Sequence, residues 1–351
     1  MDELPCLQSI SEVDSGPAVA HGNRVLVWGA LGMIGSHLTG ALLAEGFDVS
    51  VLCRSRSAEP RWAAQVEWFE LDSDSPERVL ERAVASASII FDLAGSSGAV
   101  SSNKNPIESL DQNCRIHLQF LQACQRAGHK PHVVFTSSRL VYGPTNQSRV
   151  SEEHPISPRS MYAAHKLCVE QYLQIYAGMG AITYSVCRIS NAYGPDYRQS
   201  GRGYKILNSF IEKSLAGLPI TLFGNGEQAR DFIYIDDLAA LLILCCVSPN
   251  AINQTFNIGS GNPCRLVDAA MLIREFTGAP PFLFQPWPEE YLAVESGDYV
   301  SDIGKARRLL EFCPKCDIQD GILRTLKSYK DGEVTPTETV GSATVPPLAV
   351  A

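Results

Sequence analysis

Short apolar runs alternate along this chain with longer segments in which apolar residues recur every three to four positions. The first pattern belongs to buried strands and the second to amphipathic helices. The runs predict strands over Arg24–Gly29, Val49–Cys53, Val66–Leu71, Ser88–Leu93, Val133–Ser137 and Thr183–Arg188. Helices are expected over Ile34–Ala44, Pro106–Ala127 and Ser160–Ala177. Strands that are apolar at consecutive positions are covered on both faces, so the alternation predicts an α/β fold with a doubly wound parallel sheet. The most apolar run, Leu238–Val247, is too short to span a bilayer and follows Asp236 and Asp237 directly, so it reads as a buried helix.

Regularity weakens after Ser190, where Gly and Pro cluster at Gly201–Gly203, Gly224–Gly226 and Gly259–Pro263. This predicts a sheet domain over 23–190 and a smaller, loop-rich C-terminal lobe over 191–331, some of whose segments return to the sheet domain. Residues 1–22 lack periodicity and read as a flexible leader without a secretory signal. Residues 332–351, rich in Thr, Val and Pro, read as a disordered tail.

Gly29-Ala30-Leu31-Gly32-Met33-Ile34-Gly35 stands between the first strand and the first helix. So tight a turn lets backbone approach a pyrophosphate, while the helix N-terminus offers N–H donors and a favourable dipole. In a strand–turn–helix unit the motif predicts a dinucleotide-binding, Rossmann-like domain with Gly29, Gly32, Met33, Ile34 and Gly35 against the cofactor. The ribose is read at the end of the second strand, where Cys53 is followed by Arg54, Ser55 and Arg56 and no acid stands. Arg54 therefore reads as a partner for a 2′-phosphate or as a solvated basic residue, and the expected cofactor is NAD(P), leaning to NADP. Asp72, ending the third strand, either accepts from the adenine amino group or caps the next helix.

Tyr162 and Lys166, four residues apart on a predicted helix, share one face. A cation near a phenol favours the phenolate, which a hydride-transfer enzyme needs to move a hydroxyl proton. Upstream, Thr136-Ser137-Ser138 closes the fifth strand at the carboxyl edge, where ligands sit in such sheets. Ser138 can bind the oxygen that Tyr162 deprotonates. Ser138, Tyr162 and Lys166 are thus the expected catalytic group, the last two also touching cofactor.

With these residues in view, the chain resembles the extended short-chain dehydrogenase/reductases of the NAD-dependent epimerase/dehydratase family, over roughly residues 23–330. Val141-Tyr142-Gly143 is similar to a segment of this family, and Arg188 through Pro195 and Gly224 through Asp237 are similar to segments of members acting on nucleotide-diphosphate sugars. The resemblance implies that Asn191 and Arg230 contact the substrate diphosphate and that Leu93, Ala94, Gly95 and Asn113 lie along the cofactor. Arg230 otherwise pairs with Asp231 or Asp236. Phe223 packs on the nucleobase or belongs to the core. Arg139 and Leu140 stand where dehydratases and decarboxylases resemble one another in having acids, which argues against water elimination. Leu140 also replaces the cysteine of 3,5-epimerases, and the acidic segment Glu295–Asp302 stands where many relatives have a basic residue.

Composition narrows the field further. The 351 residues carry 38 acids against 29 Lys and Arg, a formal charge of -9, so no general positive field draws in nucleic acid or an anionic membrane. The 11 cysteines are scattered among apolar neighbours and read as reduced residues of a cytoplasmic chain. The lone Cys313-x-x-Cys316 has no second pair, so no metal is expected. Three readings follow: an epimerase acting by transient oxidation at C4 of a nucleotide-diphosphate sugar, an NADPH-dependent ketosugar reductase, and a silent dinucleotide-binding regulator. A homodimer is expected through the predicted helices around Asp111–Cys124 and Tyr162–Tyr176, whose outer faces would carry Ile116, Phe120, Val169, Leu173 and Tyr176.

Overall fold

A computed structural model describes residues 23–56, 59–145, 149–196 and 205–331; the expected leader and tail lie outside them. Strands β1 (Arg24–Trp28), β2 (Asp48–Cys53), β3 (Glu67–Glu70), β4 (Ile89–Asp92), β5 (His132–Ser138) and β6 (Thr183–Ile189) follow the expected order within a residue or two at each end. Three short strands, β7 (Asn191–Tyr193), β8 (Thr221–Phe223) and β9 (Ala229–Tyr234), precede β10 (Gln254–Ile258). The last two are β11 (Pro263–Arg265) and β12 (Leu283–Gln285).

The central sheet runs β10-β6-β5-β4-β1-β2-β3 with every pairing parallel. Strand order reverses between β1 and β4, and that switch point opens a ligand crevice at the carboxyl edge. The two outer layers explain the unbroken apolar strands. Val25 and Val27 of β1 join the core beneath helices α1 (Met33–Ala44) and, further on, Ile235–Val247. Leu26 and Trp28 point to the opposite layer. That layer holds α2 (Pro76–Ala85) and two longer helices, Ile116–Arg126 and Met161–Gly178. The Leu238–Val247 run is indeed a buried helix, and among the described residues no helix is long and apolar enough to cross a membrane. β10 enters the central sheet beside β6, while β11-β9-β7 and β12-β8 form two small sheets beyond its carboxyl edge.

Two expectations need adjustment. The helical path expected over Pro106–Ala127 is unbroken, but it is not α-helical throughout. Helix α3 (Ala99–Lys104) and a short α4 (Pro106–Leu110) lead into a π-helical turn, Asp111–Arg115, before α5 (Ile116–Arg126). The proposed dimer stripe also fails. Phe120 of α5 and Val169 and Leu173 of α6 (Met161–Gly178) are buried against the sheet, leaving only Ile116 and Tyr176 partly exposed. The positions share a helical face, but it is the inward one, because the sheet beneath offers Leu26, Phe135 and Val186 to cover.

Candidate active site

The expected site residues converge on one cleft of about 2830 Å³ along the carboxyl edge of the sheet. Its lining includes the glycine turn, Arg54, Leu93, Ala94, Gly95, Ser138, Tyr162, Lys166, Asn191, Phe223 and Arg230. Asp72 and Asn113 are not among them.

The glycine turn is shaped for close approach. Gly29 has φ +92°, and a Cβ there would meet the Leu93 carbonyl at 3.0 Å. At Gly35 a Cβ would lie 2.2 Å from the Gly29 carbonyl oxygen, so any side chain would push the first turn of α1 off β1. Met33 begins α1 with Gly32 as its N-cap, and no side chain caps that end, so its N–H groups open toward the cleft floor. This cradle fits a dinucleotide pyrophosphate.

Asn113 acts from behind. It is fully buried on the π-helical turn, its Nδ2–H groups donating to Ser96 Oγ at 3.0 Å and Ser109 Oγ at 3.3 Å. Its Oδ1 accepts from Ser96 N–H at 3.0 Å. Gly95, at φ +121°, leaves room for that oxygen, which a Cβ would meet at 2.5 Å. Asn113 thus pins the loop after β4, and the extra residue of the π turn is what aims it there. Asp72 is exposed, and its backbone N–H donates to the Arg54 carbonyl at 2.7 Å. It neither enters the cleft lining nor stands as the N-cap of α2, which is Ser75. Arg54 is exposed at the end of β2 and, among the described residues, makes no ion pair. Arg56 instead pairs with Glu59 at 2.8 Å and lies over Trp68.

Ser138 ends β5 and lines the cleft with Tyr162, whose ionisation it favours, while its hydroxyl accepts from the Leu140 N–H at 3.2 Å. The expectation that Lys166 lowers the phenol's pKa is not met in this structure. Burial outweighs the lowering influence of Ser138 and pushes Tyr162 up to about 12. The reason is where the amine goes: Lys166 Nζ–H donates to the Ala94 carbonyl at 3.4 Å and the amine lies 4.7 Å over the Phe135 ring. Burial pulls Lys166 down to about 8, against the opposing pull of Asp92 and Glu170. Asp92 is itself buried at the end of β4 and accepts from His117 Nδ1–H at 2.7 Å.

At the far end of the cleft, Arg230 is buried on β9. It donates to the Gly297 carbonyl at 2.9 Å and to Glu295 Oε1 at 2.6 Å. Its carboxylate partner is therefore Glu295, not Asp231 or Asp236. Asp231 is occupied by N–H and O–H donors from Ser260, Gly261 and Ser301. Asn191 Nδ2–H donates to the Asp231 carbonyl at 2.9 Å. Phe223 is half-buried between Trp287 and Tyr291, both with ring centroids 5.5 Å away. Those two aromatics line the cleft and were not singled out from the sequence, although they sit together in a proline-flanked run, Pro286-Trp287-Pro288 to Tyr291.

The chain is 29% identical over 318 residues to the UDP-glucose 4-epimerase of Mycolicibacterium smegmatis, covering 88% of this chain and 99% of that one. Among solved structures, the UDP-glucose 4-epimerase of Thermotoga maritima with UDP-glucose superimposes with a TM-score of 0.79 at 26% identity, covering 88% and 99% of the two chains. The Thermus thermophilus UDP-glucose 4-epimerase complex with NAD gives 0.77 at 29% identity with the same coverage. The match to the NAD dependent epimerase/dehydratase family runs over residues 25–259, from β1 past β10. It takes in the glycine turn, Ser138, Tyr162, Lys166 and Arg230 together, and this chain belongs to that family.

Proposed function

We propose that the chain epimerises a nucleotide-diphosphate sugar at C4 by transient oxidation, with a nicotinamide dinucleotide held at the β1–β4 crevice. One observation carries this reading: Ser138, Tyr162 and Lys166 line the same cleft as the glycine cradle at one end and Arg230, Asn191 and Phe223 at the other. Tyr162 takes the C4 hydroxyl proton and later returns it, while Ser138 donates to the same oxygen and fixes its position. A bound nicotinamide supplies reversible hydride acceptance and, when oxidised, a positive ring charge that favours the phenolate. Lys166, protonated below about 8, holds a positive charge at the Ala94 loop and is the group that would bond the nicotinamide ribose. Asn191 and Arg230 hold the diphosphate, and the Phe223, Trp287 and Tyr291 rings receive the base. Arg230 can do so once Glu295 gives way. Anchored there, the 4-ketone can turn over before its reduction from the other face. The low exposure of Ser138 and Lys166 keeps water from the reacting carbon.

One observation favours a second reading. Among the described residues Arg54 makes no ion pair where a 2′-phosphate would fall, and NADPH suits a ketosugar reductase that uses the same residues once. The dinucleotide released on denaturing purified protein separates the two. A stoichiometric, tightly held cofactor together with interconversion of C4 epimers supports the epimerase; an empty site with net consumption of reductant supports the reductase. If Arg54 serves NADP(H), Arg54→Ala weakens NADP(H) by about tenfold to a hundredfold and NAD(H) far less, as titrations of both cofactors would report. Equal effects on both would make it a solvated loop residue. With the stripe of α5 and α6 turned inward, a homodimer rests on the family resemblance alone, and light scattering tests it.

A further inference from the structure

Arg139 directly follows Ser138 and opens the short 3-10 turn that ends β5. It is 8% exposed, yet it lines the cleft. Among the described residues its guanidinium makes one hydrogen bond, Nη1–H to Ser296 Oγ at 2.8 Å, and no ion pair. Its Cζ lies 5.0 Å over the Tyr299 ring. An arginine carries five N–H donors in a planar fork, so most of this fork has no acceptor. Burial and the neighbouring Arg230 charge pull its pKa down to about 10. The two carboxylates that oppose this are already engaged, Glu295 by Arg230 and Asp231 by its cluster of N–H and O–H donors. A buried cation in this state is costly unless an anion arrives to meet it.

Given the proposed function, on which this inference rests only for where C4 lies, the anion can be located. Ser138 holds the C4 oxygen, and Arg139, its chain neighbour, lines the same cleft. Arg230 serves the diphosphate from another strand. We propose that Arg139 is a specificity-determining residue that selects nucleotide-linked uronic acids, sugars whose C5 substituent is a carboxylate, over the corresponding uncharged hexoses. A planar fork meets a carboxylate with two parallel charge-assisted hydrogen bonds, whereas a hydroxymethyl group leaves the buried cation unpaired. Sites built around a buried polar group discriminate strongly against ligands that fail to satisfy it.

The test compares UDP-glucuronic acid with UDP-glucose, by calorimetric titration and by turnover, on the protein carrying its dinucleotide. The wild type is expected to favour the acid in affinity by at least about a hundredfold. Arg139→Gln should bring the ratio close to one, and Arg139→Lys, which keeps the charge without the fork, should fall between. Conversion of UDP-glucose with no preference for the acid would overturn this inference and leave the proposed function standing. Tight, selective binding of the acid without C4 interconversion would do the reverse. An equal loss for both ligands in Arg139→Gln would assign the guanidinium to the diphosphate and overturn the proposal.

Discussion

Tyr162→Phe is expected to cut turnover of a nucleotide sugar by about 10²–10⁴-fold, the usual worth of a positioned proton carrier. Dinucleotide affinity should be nearly unchanged. The phenylalanine ring keeps the packing, and the glycine cradle and Lys166 are untouched. The pH profile adds a second signature. With the phenol held at about 12 by burial, the phenolate is scarce at neutral pH, and wild-type turnover should climb as pH rises. The climb should be blunted near 8, where Lys166 sheds its proton and its charge is lost. A variant without the phenol should show no alkaline climb. Turnover within about tenfold of wild type would remove Tyr162 from the mechanism.

The central sheet was legible because most of its strands carry apolar residues at consecutive positions, as in Val25–Trp28 and Ile89–Phe91, and a parallel sheet covered on both faces accounts for such runs. The glycine turn and the Ser138, Tyr162 and Lys166 group were legible because short spacings on one turn or one helix fix geometry locally. Relations across elements were not. A three-to-four spacing names a helical face but not its direction, so Phe120, Val169 and Leu173 were assigned outward although they cover the sheet. No spacing announces a π turn, so the sequence did not show that Asn113 braces the loop after β4 from behind. Glu295, some 65 residues from Arg230, became its partner through folding alone. The phenol's pKa was misjudged for the same reason: sharing a face with Lys166 does not decide where a four-carbon side chain sends its amine.

The second large effect concerns a buried network beneath the reactive serine. Glu170 lies one turn beyond Lys166 on α6 and is 1% exposed. It accepts from the hydroxyl of Ser137, from Arg188 Nε–H at 3.1 Å and from Arg188 Nη2–H at 2.7 Å. Arg188, on β6, also donates to the Tyr142 hydroxyl at 3.0 Å, which donates in turn to Asn257 Oδ1 of β10 at 2.6 Å. Burial opposes the Arg188 charge, but the Glu170 pair more than offsets it and holds the guanidinium well above its ordinary pKa. Glu170→Ala leaves that cation buried without a counter-charge, which should cost about 3–5 kcal/mol, read as a large fall in melting temperature. Replacing both partners, Glu170→Leu with Arg188→Met, should restore most of the loss, since two apolar side chains leave no charge to desolvate. Activity should not return with stability. Ser137 loses its acceptor next to Ser138, and Lys166 loses one of the two carboxylates that support its proton, so its pKa falls further below about 8. A double variant that melts like the wild type but turns over slowly, with its alkaline limit shifted to lower pH, would establish the network as the platform of the site. One that regains full turnover would reduce Glu170 to a structural ion pair.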